Sequence, residues 1–208
     1  MSARPSRAGV RLGPEAWALL ERSYGEAGRA YHVWSHVEEV LRRYDEVARQ
    51  VGWRHPAEVF LAVLYHDVVY VPGASDNEAR SAEVCRAALE AGLLAGAVER
   101  ALVARLIGLT AGHGHLDPAQ LSADEALFLD CDLAILGGTP EAFAAYDAGI
   151  EQEFRALPRE LYRAGRGAFF ERALAAPALF LSPHFHARLE APARRNLRGW
   201  LEQARTAG

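Results

Sequence analysis

Apolar residues recur every three or four positions along most of this chain, with polar residues between them, which is the pattern of amphipathic helices. Gly and Pro residues interrupt the pattern and mark the ends of the helical stretches. A clear example is a face formed by Val33, Val37, Val40, Leu41, Tyr44 and Val47. The pattern predicts nine helices, over residues 14–24, 32–51, 56–68, 76–92, 95–110, 123–136, 139–155, 159–176 and 190–205.

The predicted helix over 56–68 differs from the others because it has no polar face. Its apolar run extends from Val59 to Tyr65 without interruption. A helix that is apolar all round must be covered on all sides by other elements. We therefore predict that this helix is the central one of the fold.

The composition also favours helices. The 208 residues include three Thr and three Ile, whereas Ala, Leu, Arg and Glu are abundant. No repeat, low-complexity tract or linker interrupts the pattern. We expect an all-α, single-domain, compact helical bundle over residues 14–208, preceded by a poorly ordered N-terminal arm over residues 1–13.

The charged residues and cysteines exclude several classes of protein. All 23 basic residues are Arg, and they form no run that could follow a phosphate backbone, so we expect no extended nucleic-acid partner. The absence of Lys excludes P-loop and Schiff-base enzymes. Cys85 and Cys131 are too few for a disulfide framework or a thiolate zinc site, which favours a reducing compartment.

The chain carries no recognisable export or membrane segment. Residues 1–14 lack the apolar core of a secretory signal, and no apolar run approaches the roughly 20 residues that span a bilayer. We expect a cytoplasmic protein with no membrane partner. The sequence does not indicate the oligomeric state.

Histidines and carboxylates occur where apolar residues are expected. His36 lies beside the apolar face of its helix, and His32 lies one turn earlier, so the two imidazoles could share a metal or be a partly buried, hydrogen-bonded pair. His66 and Asp67 end the apolar helix, where a carboxylate needs a metal or an Arg partner.

Two further carboxylates, Asp130 and Asp132, lie inside another apolar helix. Both have apolar residues at their helical neighbour positions, so the periodicity does not choose between them. Together with His36, His66 and Asp67, one of them would complete a centre of imidazoles and carboxylates. Such a set suits Mn, Fe, Co, Ni or Zn better than calcium, with Mg also possible.

These residues resemble the HD superfamily of metal-dependent phosphohydrolases, in which a His, a later His-Asp pair and a distant Asp occur in this order. The likeness is greatest to a subgroup of small bacterial predicted HD phosphohydrolases and spans about residues 15 to 200. It is carried by Arg29-Ala30-Tyr31-His32 with His36, Tyr65-His66-Asp67 with Tyr70, Asp76-Asn77-Glu78 with Ser81, Thr110 and His113, residues 129–137, Glu153-Phe154, Glu190, and residues 193–197.

The resemblance implies a bundle of the HD-domain type and a set of site residues. The implied metal ligands are His36, His66, Asp67 and Asp132, with Asp132 preferred to Asp130 because it matches the last aspartate of the family. The implied catalytic residues are Asp67, Glu78 and His113. The implied substrate-binding residues are Arg29, His32 and Asn77.

More than one role remains open for three of these residues. Arg29 suits a bidentate phosphate contact or an ordinary surface position. Glu78 suits a catalytic base or the first turn of its helix. His113 suits a general acid, a phosphate ligand or a second metal ligand.

The activity implied by the resemblance is hydrolysis of a small phosphorylated metabolite, a nucleotide or a related phosphate ester or anhydride, by metal-activated water. The residues after Asp67 are Val-Val-Tyr, not the Gly-Lys of the cyclic-dinucleotide phosphodiesterases, which argues against that substrate. Two alternatives are a dinuclear iron oxygenase, with His32 and His113 as additional ligands, and a nucleotide-binding module without turnover.

Overall fold

The computed structural model describes residues 6–113 and 116–206, and nearly all regular structure in them is helical. This confirms the all-α fold class. The helices are α1 (Pro14–Tyr24), α2 (Trp34–Gln50), α3 (Pro56–Tyr65), α4 (Asn77–Glu90), α5 (Arg100–Leu109), α6 (Ala123–Leu133), α7 (Pro140–Glu153), α8 (Arg159–Ala175) and α9 (Pro183–Thr206). Two short strands, β1 (Arg11–Leu12) and β2 (Leu94–Ala95), pair antiparallel.

Local chemistry explains most helix starts. Proline occupies the first helical position of α1, α3 and α7, where the missing N–H costs nothing. Thr139 caps α7 through its hydroxyl, which accepts a hydrogen bond from the Ala142 N–H. Ser122 and Glu125 form a reciprocal capping box at the start of α6. These starts agree with the sequence predictions to within one residue.

Three helix starts differ from the predictions. α5 begins at Arg100, five residues after the predicted start, because β2 occupies the beginning of the predicted range. Val33 is extended, so α2 begins at Trp34 and His32 lies before the helix rather than on it. In the other direction, α9 begins at Pro183, seven residues before the predicted start. The Ser182 hydroxyl accepts the Phe185 N–H, and Pro183 therefore starts this helix instead of breaking it.

The chain divides into two compact units, Met1–Ala111 and Gly112–Gly208. In the first unit α3 packs against α2, α4 and α5. Every residue from Val59 to Tyr65 is fully buried, which confirms the predicted burial of this helix. The single domain predicted over residues 14–208 stays a prediction.

Part of the predicted N-terminal arm is held in place in the first unit. Arg11 and Leu12 pair with β2, and Val10 is buried. The Arg7 guanidinium donates two hydrogen bonds to the Asp45 carboxylate, at 2.7 and 2.6 Å. Residues 6–13 therefore contact the rest of the first unit, the poorly ordered arm over residues 1–13 stays a prediction, and residues 1–5 lie outside the described residues.

In the second unit α9 packs against α6 and against the 3-10 turn Ala134–Gly137 that follows it. Gly137 permits this close approach, since a Cβ there would lie 2.7 Å from the Leu189 Cβ. The Asn196 amide donates to the carbonyls of Leu136 and Gly138. Within residues 6–113 and 116–206, no helix combines the length and the apolar character that crossing a membrane requires.

Candidate metal centre

Three of the predicted ligands meet in the first unit, where α2 begins and α3 ends. His36 lies in the first turn of α2, and His66 is the residue that follows the last residue of α3. Asp67 comes next in the chain. His36 and His66 are buried, whereas the Asp67 side chain keeps 17% of its surface exposed. The cluster therefore has one side that solvent reaches.

The donor atoms of these residues form a small triangle. The Nε2 atoms of His36 and His66 are 3.1 Å apart. The Asp67 Oδ2 atom lies 3.0 Å from the His66 Nε2 and 3.5 Å from the His36 Nε2. Donors about 2.1 Å from one cation are about 3.0 Å apart in an octahedron and about 3.4 Å apart in a tetrahedron. The triangle therefore has the dimensions of three ligands around a single ion.

The orientation of His66 supports the same reading. Its Nδ1 lies 3.0 Å from the Val63 carbonyl oxygen, which only accepts, so Nδ1–H is the donor. In the neutral imidazole the Nε2 then carries a lone pair, and this lone pair faces the Asp67 carboxylate. A metal-binding histidine commonly fixes its other ring nitrogen in this way. Two electron-pair donors at this distance repel each other unless a cation or a further proton lies between them.

Asp67 supplies a negative charge to the cluster. Burial by itself would raise the pKa of its carboxyl, but the neighbouring His66, His32 and His36 hold that pKa well below its ordinary value. The carboxylate form therefore predominates at neutral pH. Two imidazoles and a carboxylate form a donor set that suits a divalent transition metal, and these three residues form a group that could hold one.

The second unit contains the two aspartates that the periodicity left unresolved, and the structure gives them different roles. The buried Asp130 carboxylate accepts the Leu181 N–H at 2.8 Å, the Ser182 N–H at 2.7 Å and the Ser182 hydroxyl at 2.6 Å. Burial raises the pKa of Asp130 to about 6, although these bonds act in the opposite direction. Asp130 is thus engaged in holding the segment that leads into α9.

Asp132 is partly exposed and contacts a second predicted site residue. Its Oδ2 lies 2.8 Å from the His113 Nε2. A carboxylate only accepts, so the His113 Nε2–H donates, and the Nδ1 of a neutral His113 would accept protons. The assignment of Asp132 as the fourth ligand stays a prediction. The neighbouring histidine in the sequence, His115, lies outside the described residues.

Arg29 is bound to acceptors within the protein, and its predicted contact with substrate stays a prediction. Its side chain is 3% exposed, and its five N–H groups already have acceptors. Nε and NH2 donate to the Glu26 carboxylate at 3.1 and 2.9 Å. The terminal nitrogens also donate to the carbonyls of Asp67 at 2.6 Å, Val68 at 3.0 Å and His32 at 3.3 Å. No donor of Arg29 is left for a phosphate in this conformation.

Asn77 is likewise occupied. Its amide oxygen accepts the Val71 N–H and its amide nitrogen donates to the Val71 carbonyl, both at 3.0 Å. This reciprocal pairing engages the amide with the backbone, and the predicted contact of Asn77 with substrate stays a prediction. Glu78 is half-buried in the first turn of α4, where a carboxylate complements the helix dipole, and its role as a base stays a prediction.

His32 remains next to the cluster although it is not on α2. Its ring stacks on Tyr70, with centroids 3.9 Å apart, and lies 5.9 Å from the His36 ring. Tyr31 packs against both His32 and His36. These aromatic side chains line one flank of the donor triangle. The predicted contact of His32 with substrate stays a prediction.

Sequence reasoning missed the part played by Ser81. The Ser81 hydroxyl accepts the Val69 N–H at 3.1 Å and donates to the Val69 carbonyl at 3.3 Å. The resemblance included Ser81 without assigning it a role. The structure shows why it has a role: Ser81 is buried inside α4, and a buried hydroxyl needs hydrogen-bond partners.

Comparisons of the chain with protein-family models, with curated proteins and with solved structures find no match.

Proposed function

We propose that this protein is a metal-dependent phosphohydrolase that acts on a small phosphorylated metabolite, a nucleotide or a related phosphate ester or anhydride. The main support is the meeting of His36, His66 and Asp67, whose donor atoms are 3.0 to 3.5 Å apart. The second support is the resemblance to the HD phosphohydrolases, which rests on the order of these three residues and Asp132 along the chain.

The proposed ligands are His36, His66, Asp67 and Asp132, and the metal is Mn, Fe, Co, Ni, Zn or Mg. A divalent cation bound there would lower the pKa of a water molecule and offset negative charge on a phosphoryl group. The Val63 carbonyl holds the His66 ring so that Nε2 faces the other donors. The exposed part of Asp67 leaves an approach for substrate from solvent.

His113 is the proposed proton carrier. Asp132 orients its ring by accepting the Nε2–H, which leaves Nδ1 to take or give a proton. This arrangement suits protonation of a leaving-group oxygen. Glu78 is a second candidate for this step, as a base at the start of α4.

The decisive experiment is a phosphatase screen of the full chain after removal of metals with a chelator. The protein is reloaded separately with Mn, Co, Ni, Mg and Zn and assayed for phosphate release from nucleotides, pyrophosphates and sugar phosphates. We expect turnover with at least one metal, and none with Asp67→Ala. Glu83→Ala, which removes an exposed carboxylate of α4, is the matched control and should retain activity.

Failure of the screen would separate the alternatives. If no phosphate is released, oxygen consumption by protein loaded with iron under anaerobic conditions would indicate a dinuclear iron oxygenase. Nucleotide binding in calorimetry, without turnover and without oxygen consumption, would indicate a binding module. Activity of metal-free protein equal to that of the loaded protein would refute the metal-dependent reaction.

A further inference from the structure

The backbone that follows the His-Asp pair is held by side chains from outside the segment. The Arg29 guanidinium donates hydrogen bonds to the carbonyls of Asp67 and Val68. The Ser81 side chain accepts the backbone N–H of Val69 and donates to its carbonyl. The Asn77 side chain does the same with the backbone of Val71. We call these three side chains, Arg29, Ser81 and Asn77, the backbone clamp.

The segment needs such support because α3 ends at Tyr65. A helix fixes its residues through the ladder of backbone hydrogen bonds, and residues beyond the last turn lose this restraint. The Val68 N–H still reaches the Tyr65 carbonyl, at 3.2 Å. The carbonyl groups of Asp67 and Val68 turn instead to Arg29. A metal ligand placed here would otherwise lie on a loosely held backbone.

Burial of Arg29 indicates that this contact is built into the fold. A guanidinium that is 3% exposed is costly unless its charge and its donors are satisfied. Glu26 offsets the charge, and three backbone carbonyls take the remaining donors. The shortest of these bonds, 2.6 Å, goes to the carbonyl of Asp67 itself. Among the clamp residues, Arg29 therefore has the most direct influence on Asp67.

We propose that Arg29 and Ser81 are positioning residues, which hold the backbone of Asp67 to Val69 so that the Asp67 carboxylate stays in reach of the metal. This inference rests on the proposed function, because it assumes that Asp67 is a ligand. Groups that orient metal ligands typically contribute 10–100-fold to metal affinity. The effect should diminish along the chain from Arg29, through Ser81, to Asn77, whose partner lies four residues beyond Asp67.

The test is a titration of the metal-free full chain with Co²⁺, in which the visible absorption of the bound Co²⁺ measures binding. The variants are Arg29→Met, Arg29→Lys, Ser81→Ala and Asn77→Ala, each checked for its folded state by circular dichroism at the titration temperature. Arg194→Met is the matched control. Arg194 also binds one carboxylate, that of Glu190, and three backbone carbonyls, but it does so in the second unit.

We expect Arg29→Met to weaken Co²⁺ binding by about 10–100-fold and to change the absorption spectrum, because the Asp67 carboxylate shifts. Arg29→Lys should recover part of the affinity. Ser81→Ala should lose less than Arg29→Met, and Asn77→Ala less again. Arg194→Met should lose stability but bind Co²⁺ as the wild type does.

The two proposals fail in different ways. If the wild type binds no Co²⁺, both the metal centre and the positioning role are refuted. If the wild type binds Co²⁺ and folded Arg29→Met and Ser81→Ala bind it equally well, only the positioning role is refuted. The positioning role is also refuted if the loss of Co²⁺ affinity is in proportion to the loss of stability, so that Arg194→Met loses as much affinity as Arg29→Met. The Ser81 variant keeps the test valid if Arg29→Met does not fold.

Discussion

The side chains of His36 and His66 face each other through their Nε2 atoms at 3.1 Å, although 30 residues separate them in the chain. His36 lies in the first turn of α2 and His66 directly follows the last residue of α3, so the ends of two helices place the two imidazoles. Because the Val63 carbonyl accepts the His66 Nδ1–H, the Nε2 of a neutral His66 presents a lone pair to the His36 Nε2. This relationship makes metal binding the first property to measure.

Replacement of His66 should abolish tight metal binding. We expect His66→Ala to lose more than about 100-fold in Co²⁺ affinity, since a direct ligand contributes more than the outer groups that contribute 10–100-fold. His55→Ala is the control, because His55 precedes α3 at its opposite, exposed end. Equal Co²⁺ affinity of the two variants in calorimetry would remove His66 from the ligand set.

Replacement of Asp130 and replacement of Asp132 by alanine should lower the free energy of unfolding by different amounts. Asp130→Ala leaves the buried N–H groups of Leu181 and Ser182 without their acceptor, and we expect it to lower the free energy of unfolding by about 3 kcal/mol or more. Asp132→Ala removes a half-buried contact to His113 and takes no acceptor from a buried backbone N–H that the hydrogen bonds show, so it should cost less than Asp130→Ala.

Urea denaturation of the two variants measures this difference. A larger stability loss for Asp132→Ala than for Asp130→Ala would contradict the assigned roles. Phosphatase assays on the same proteins add a second comparison. Under the proposed function, Asp132→Ala should lose turnover while it remains folded.

Gly137 should not tolerate a side chain. In Gly137→Ala the new Cβ would lie 2.7 Å from the Leu189 Cβ and 2.9 Å from the Leu189 carbonyl oxygen. Overpacking of this kind costs about 1–3 kcal/mol. The control is Gly165→Ala within α8, where a Cβ would meet no described heavy atom within 4 Å outside its own helical turn, so alanine should raise stability by about 0.5–1 kcal/mol. Thermal unfolding should show a lower melting temperature for Gly137→Ala and a higher one for Gly165→Ala than for the wild type.

The thiol of Cys85 should make the protein less stable in alkali. Burial raises the pKa of this thiol from 9.0 to about 12 in the folded chain. The thiol stays protonated in both states below about pH 9, so it affects stability only above that pH. Between pH 8 and pH 10 the unfolded chain ionises while the folded chain does not, which removes about 1.4 kcal/mol.

Comparison with Cys85→Ala isolates this contribution from those of other groups. The variant should lose less stability than the wild type between pH 8 and pH 10, by about 1.4 kcal/mol in urea denaturation. Identical pH dependence of the two proteins would show that the Cys85 thiol is not shielded. Both cysteines are buried, so alkylation of native protein should also be slow at neutral pH.

The sequence by itself determined the helices and the candidates for the site. Helical periodicity is a local property, with neighbours three and four residues apart, so it correctly predicted α1 to α4 and α6 to α8 to within a few residues, and the burial of the run from Val59 to Tyr65. It missed β2, which takes the place of the predicted first turn of α5. His36, His66 and Asp67 were also identifiable from the sequence, because polar groups in apolar surroundings need a partner or a metal.

The tertiary structure decided which partner each polar group has. Asp130 and Asp132 have the same kind of helical neighbours, and only the segment before α9, more than 50 residues away, shows that Asp130 is engaged. Arg29 suited a phosphate contact by its chemistry, but two of the three carbonyls that it binds lie 38 and 39 residues further along the chain. A hydrogen bond depends on distance and direction between groups that the fold brings together, and residue type does not specify either quantity.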